Sequence, residues 1–347
     1  MTDDIFYIGE NLIKQRHAGS KARSDVESIF DGRYKQVFEI KQQAFTGYFD
    51  KAIFLLSLDS LSTIHKLLSS FPHAPIIIQY PSYYNRIYNW LIENFIWHHK
   101  SVLFVHDIET LRYGDEHAIR REISLMNSTK AIILHNHKMT EELRHHGLIV
   151  PVVELGLFDY IINKEIPKFD RKLGNRIVFA GNLGKSKFLT KIPTSSLHLQ
   201  FDLYGINCPD KLIYDKSIFY HGSFDADDLP YHLEGNFGLV WDGSSLDTCD
   251  GPLGHYLKFN NPHKLSLYLA SGLPVIVWSQ SAMAEFVQNE NVGIVVESLH
   301  QVRPFINQLS NGDYLKMLSN VRNIQQKLIN GYFTNQALNK LEKILLS

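Results

Sequence analysis

Several short stretches of this chain pair residue types and spacings that can hold or move charge. In Asn260-Asn261-Pro262-His263-Lys264 an apolar helical pattern begins that runs to Gly272. Asn261 suits an N-cap and Pro262 the first helical position, where its missing N–H costs nothing. The free N–H groups of a first turn attract anions, and aligned peptide dipoles repel cations there. His263 and Lys264 at that end therefore point to a bound anion to which both add positive charge. A second stretch, Gly181-Asn182-Leu183-Gly184-Lys185-Ser186-Lys187, follows the apolar run Ile177–Ala180. Glycines after a strand let the backbone approach a phosphate, and Lys185 or Lys187 can neutralise it. A P-loop is excluded because Phe179 stands where its first glycine is required, and no G-x-G-x-x-G occurs. A third basic stretch, His17-Ala18-Gly19-Ser20-Lys21-Ala22-Arg23, reads as a loop after the first strand. The three together fit a diphosphate neutralised by lysines and helix N-termini, with no metal or other cofactor expected.

Two acidic features complete the inventory. His106-Asp107 closes the apolar run VLFVHD, and either side chain at a strand end can take a proton from a sugar hydroxyl. The competing role for Asp107 is to cap the next helix. Asp242 opens the loop Trp241–Gly251, rich in Asp and Ser, whose side chains suit sugar hydroxyls. Asp225-Ala226-Asp227 resembles a manganese-binding D-x-D, yet it precedes a helical pattern, and a capping role is expected. His135, His137 and the pairs His98-His99 and His145-His146 lack nearby ligand partners and read as structural or surface residues.

These groups need a frame. The chain has 347 residues, longer than single cores usually grow, so two domains are expected. Short apolar runs alternate with helical patterns, the signature of parallel sheets covered by helices. Strands are expected at Ile5–Ile8, Val37–Ile40, Ile53–Leu56, Ile76–Tyr80, Val102–His106, Ala131–His135 and Val152–Leu155. A second series runs Ile177–Ala180, Leu199–Tyr204, Ile218–Tyr220, Phe237–Trp241, Val275–Trp278 and Val292–Val296. Helices fill most gaps, one after Ser24, which has capping-box spacing to Glu27, and one ending at Gly147. The expected division is an N-terminal unit over 1–156, a connection over 157–174, a C-terminal unit over 175–325 and a helical tail over 326–347 that packs back on the first unit. In such sheets ligands sit beyond the carboxyl ends of the strands.

Composition sets outer limits. Lys and Arg number 35 against 36 Asp and Glu, so no overall field favours nucleic acid. Two cysteines, Cys208 and Cys249, suit a reducing compartment. With no signal-peptide layout and no apolar run near the roughly 18 residues of a membrane span, a cytoplasmic protein is expected. The aromatic stretch Tyr83–Lys100 leaves peripheral contact with the inner face of a membrane as an open alternative to an ordinary packed helix. A homo-oligomer is likewise left open.

The run FGLVWDGSSLDTCDGPLGHYLKFNNPHKLSLYLASGLPVIVW, with GSKARSD, VHDIETLRYG, FAGNLGKSKF and YHGSFDADDLP in order, resembles the bacterial β-1,6-galactofuranosyltransferases of O-antigen assembly. The matches run from about residue 5 to 330, nearly the whole chain. A more distant similarity links it to the glucosyltransferases that extend N-acetylglucosamine on serine-rich-repeat adhesins. The resemblance implies a GT-B architecture, α/β with two Rossmann-like doubly wound domains facing across a cleft. It implies a UDP-sugar donor held by Lys185 and Lys264, with Gly19 and Ser20 closing from the first domain. Gly222, Ser223 and Phe224 would lie by the uracil and ribose, and Asp242 with the Asn260-Asn261 pair by the donor sugar. For His263 three roles stay open: contact with phosphate, reading of a sugar hydroxyl, or shaping of the turn. Asp107, or His106, would deprotonate a glycan acceptor, lipid-linked in one version, in a single inverting displacement. Galactofuranose is the first choice of sugar. The alternatives are UDP-glucose with a glycoprotein acceptor, and a non-catalytic nucleotide-binding subunit.

Overall fold

The computed structural model describes residues 5–11, 18–41, 74–82, 86–167 and 169–346. The strand expected at Ile53–Leu56, His17 and the start of the aromatic stretch at Tyr83 lie outside them. The chain divides into two compact units, one made of residues 1–15, 26–155 and 335–347, the other of 16–25 and 156–334.

The first unit holds a six-stranded, all-parallel sheet: β1 (Phe6–Asn11), β2 (Lys35–Lys41), β3 (Ile76–Tyr80), β4 (Ser101–Val105), β5 (Ala131–Leu134) and β6 (Val152–Glu154), in the order β2-β1-β3-β4-β5-β6. The second has β7 (Arg176–Ala180), β8 (Gln200–Tyr204), β9 (Ile218–Tyr220), β10 (Phe237–Val240), β11 (Val275–Trp278) and β12 (Gly293–Val296), ordered β12-β11-β10-β7-β8-β9, also all parallel. Every residue of β4, β5, β10 and β11 is buried. That explains their continuous apolar sequences: a parallel sheet covered on both faces has no solvent side on which to alternate.

Among the described residues, α-helices of eight or more residues are α1 (Ala18–Asp31), α2 (Arg86–His98), α3 (Glu116–Asn127), α4 (His137–His145), α5 (His263–Ala270), α6 (Asn311–Ile329) and α7 (Tyr332–Leu346). Asn136 caps α4 by accepting from the Met139 N–H, and Gly147 leaves it at φ +99°. Ser310 and Asp313 form a capping box on α6. No helix among the described residues is long and apolar enough to cross a membrane.

Helix α1 corrects two expectations. Gly19, Ser20 and Lys21 lie in its first turns, with no loop over 18–23, and Ser24 and Glu27 sit inside it, so they cap nothing. Glu27 instead accepts from the Glu10 N–H. The helix forms because Ala22, Val26 and Phe30, spaced by four, are all buried on one stripe. Its residues up to Asp25 group with the second unit, where Lys21 pairs with Asp25 and Asp227 and donates to the Ile161 carbonyl.

Candidate active site

In the second unit the chain runs β7-β8-β9 outward and then returns to place β10 on the other side of β7. Two neighbouring strands from which the chain departs in opposite directions leave a crevice at their carboxyl ends, where α/β sheets hold ligands. The residues immediately after these strands are Gly181 beyond β7 and Trp241-Asp242 beyond β10. Gly205 follows β8 and His221-Gly222 follow β9.

Lys264, in the first turn of α5, lies at this crevice. Its Nζ is 3.3 Å from Asp242 Oδ1 and 4.4 Å from the centre of the Phe179 ring. A Cβ at Gly181, whose φ is +146°, would stand 3.3 Å from Lys264 Cε. Glycine there allows the lysine stem to lie directly on the turn. Helix α5 is tied to the end of β7 by Tyr268, whose hydroxyl accepts from the Ala180 N–H at 2.8 Å. Gly205 is more demanding still: φ is +147° and a Cβ would fall 1.7 Å from the Gly181 carbonyl oxygen. Its N–H donates to the Gly222 carbonyl at 2.7 Å. Three strand ends thus meet through bare backbone, with one half-buried lysine ammonium beside them. That arrangement suits a phosphate-bearing ligand.

The other expected donor residues are less uniform. Lys185 is exposed on the same turn, with its N–H folded back to the Asn182 carbonyl, and residues 187–194 continue as a 3₁₀ helix. Gly222 has φ +79°, Ser223 is half-buried, and Phe224 stacks on His232 at 4.1 Å. The Asn260 side-chain oxygen is buried without a hydrogen-bond partner, an acceptor awaiting a hydroxyl. The acidic loop is closed by Asp250, which accepts from the Ser244 N–H and, at 2.8 Å, from the Ser244 hydroxyl.

Four local expectations are corrected here. Asn261 does not cap α5: Pro262 occupies the N-cap position, and the buried Asn261 amide donates to the Gly156 carbonyl. Lys21 is no free cation for phosphate, because Asp25 and Asp227 already hold it. Asp227 therefore caps no helix, and only a short 3₁₀ turn, Leu229–Tyr231, follows. His263 adds no charge. Its ring stacks on Tyr160 at 5.0 Å with Phe158 at its edge, and burial, aided by the Lys21 charge, pushes its pKa down to about 3.

The sign of the His263 shift gives a measurable result. The unfolded chain takes up a proton near pH 6.5 that the folded chain refuses, so this contribution is full above about pH 6.5 and falls as pH drops toward about 3. Between pH 7 and 4 the wild type should lose about 3 kcal/mol more unfolding free energy than His263→Phe, measured by urea denaturation. Equal losses would show that the ring is protonated in the folded chain.

In the first unit, His106 and Asp107 follow β4 as expected. His106 Nε2 lies 2.7 Å from Gln79 Oε1, and its Nδ1 is enclosed. Asp107 accepts from the Ile108 N–H at 3.0 Å and from Arg112, which pairs with its other oxygen. The capping expectation is overturned: the short helix Glu109–Tyr113 has Ile108 at its N-cap. Behind them His135 is fully enclosed, and burial drives its pKa down to about 4 despite the Asp107 charge. Asp107 is therefore an oriented carboxylate, half-buried, beside a neutral histidine.

Sequence reasoning missed Arg112 and Gly205. A glycine directly after each of β7 and β8 was a legible signal for the latter. The Asp107–Arg112 spacing carried none, because the chain turns between them.

Comparison with known proteins places this geometry. Residues 6–157 match the model of the glucosyltransferase 3-like N-terminal domain, and 177–341 that of the C-terminal domain. The chain is 29% identical to the beta-1,6-galactofuranosyltransferase WbbI of Escherichia coli (strain K12) over 97% of its own length and 98% of that protein. It is 27% identical to glucosyltransferase 3 of Streptococcus parasanguinis over 69% of each chain. In fold it is similar to a sucrose-phosphate synthase from Thermosynechococcus elongatus, with TM-score 0.64 and 14% identity, over 99% of this chain and 98% of that one. Two parallel six-stranded sheets, both domain models and a relative matched end to end agree: the chain belongs to the glucosyltransferase 3-like family and is a glycosyltransferase of the GT-B fold.

Proposed function

We propose that this glycosyltransferase moves galactofuranose from UDP-galactofuranose to a hydroxyl of a cell-surface glycan, with inversion. The observation that carries the choice of sugar is the end-to-end similarity to a named galactofuranosyltransferase, against partial coverage by the glucosyltransferase relatives. In this reading the UDP diphosphate lies over the Gly181 turn. Lys264, Lys185 and the α5 N-terminus balance the charge that grows on it as the sugar departs. Asp242 holds Lys264 in place before the donor arrives and then reads a sugar hydroxyl, together with the Asn260 oxygen. Gly222, Ser223 and Phe224 line the nucleoside side. The acceptor oxygen attacks the anomeric carbon, its bond to the phosphate oxygen breaks, and the hydroxyl proton passes to Asp107. His106 is the poorer base because Gln79 engages Nε2 and the protein encloses Nδ1.

The test is turnover of UDP-galactofuranose and UDP-glucose in EDTA, with products identified by mass and linkage. Transfer or hydrolysis of the galactofuranose donor, undiminished by EDTA, is the expected result. Turnover of UDP-glucose alone would favour the glucosyltransferase that the family name describes. UDP binding without turnover of any donor would restore the binding-subunit reading.

A further inference from the structure

The first unit carries a cavity that this chemistry does not use. It opens between α2 and α3 beside the Tyr80–Pro81 corner, has a volume of about 260 Å³, and is lined by Tyr80, Glu93, Trp97, Thr110, Arg121 and Glu122 among others. Its inner wall is an ordered polar network. The Tyr80 hydroxyl donates to Glu122 at 2.7 Å, Thr110 donates to the other Glu122 oxygen, and Arg121 pairs with Glu93 at 3.3 Å. Burial pushes the Glu122 carboxyl up, with Thr110 and Tyr80 pulling the other way.

On its outer side stands the Trp97 indole, and Trp90 lies outside the lining on the same helix. Trp97 is 46% exposed and Trp90, on the same helix, 59% exposed. Seven residues are nearly two full turns, so the two indoles share one face of α2 about 10 Å apart along its axis. Two large exposed indoles on one face call for a partner.

Charge selects among partners. Glu93, Glu109 and Glu122 face the cavity against Arg121 alone, which disfavours phosphate groups and anionic lipid headgroups. The polar wall likewise disfavours an apolar protein face. A neutral sugar ring satisfies both walls: its C–H face packs on an indole, while its hydroxyls bond to carboxylates, guanidinium and phenol. The cavity holds one ring, and the separation of the indoles matches the advance of about two sugar residues. We propose that the Trp90–Trp97 face and its cavity form a subsite for a neutral oligosaccharide segment of the acceptor, beyond the sugar whose hydroxyl reacts. This rests on the acceptor being a glycan.

The test is isothermal titration of the full chain with neutral tetrasaccharides of glucose, galactose or N-acetylglucosamine. At least one should bind, and Trp97→Ala should weaken it about ten-fold or more, as loss of a buried aromatic anchor does. Trp90→Ala and Glu122→Gln should weaken it less, Trp97→Phe should retain most of it, and UDP binding should be unchanged in all four. Equal saccharide affinity in Trp97→Ala and wild type, or no binding by any of the three sugars, overturns the subsite. So does sedimentation with phosphatidylglycerol vesicles that depends on Trp90 and Trp97. Loss of the donor assignment would appear as absent UDP-sugar turnover, a separate readout from saccharide binding.

Discussion

Lys264→Ala should reduce transfer by about 10²- to 10³-fold, the usual cost of deleting one group aimed at charge that develops in a transition state. Lys264 is placed for that role by contacts that do not depend on substrate: the Asp242 carboxylate at 3.3 Å, the Phe179 ring and the bare Gly181 backbone. Deleting the ammonium removes positive charge from the strand-end crevice and leaves Asp242, a carboxylate, facing the incoming diphosphate. Affinity for UDP should therefore fall along with kcat. The ion pair is partly solvated, so folding stability should change by no more than about 1 kcal/mol. An unchanged melting temperature would separate this loss from misfolding. Lys264→Arg keeps the charge, but its bulkier head must fit a turn on which the lysine stem already lies, and partial activity is expected. A Lys264→Ala enzyme with more than a tenth of wild-type activity would remove this residue from the donor site.

Asp107→Asn should lower kcat by about 10³-fold, within the range that a positioned general base contributes. Affinity for UDP should stay near wild type, because the proposed role concerns the acceptor proton alone. The amide keeps the shape and can still accept from the Ile108 N–H, so the fold is little disturbed. Arg112 would lose its anionic partner, and Arg112→Gln is the matched control. Removing the clamp alone should raise the acceptor KM and lower kcat less than removing the base. His106→Gln should retain most activity, because a glutamine amide can still donate to Gln79. If His106→Gln is the inactive variant and Asp107→Asn the active one, the two roles are exchanged.

Much of the frame was legible in the chain. Ile76–Tyr80, Ile218–Tyr220 and Val275–Trp278 form strands with the expected bounds, and most other described strands shift by only one or two residues. Buried parallel strands need unbroken apolar runs, and those runs are visible without any partner. Helix α1 was legible only beyond Ser24, and its first turns were not. Gly19, Ser20 and Ser24 are mediocre helix formers, and the stretch read as a loop. It is helical because Ala22, Val26 and Phe30 bury one stripe and because Asp227 comes to Lys21 from far along the chain. The Asn261 cap failed for a similar reason: the amide found the distant Gly156 carbonyl instead of the nearby helix.

The amino-acid order alone determined the alternation of strands and helices and the turns after the strands where glycines gather, because apolar period and backbone freedom are local properties. Which charges remain available was decided only by the tertiary structure. Lys21, His263 and Lys264 look equally cationic in the sequence. Folding surrounds Lys21 with two carboxylates, seals the His263 ring against Tyr160 until it is neutral, and leaves the Lys264 ammonium at the crevice between the Asp242 carboxylate and the Phe179 ring. Charge is set by desolvation and by neighbours within a few ångströms, and those neighbours are strangers in the chain until the sheets assemble.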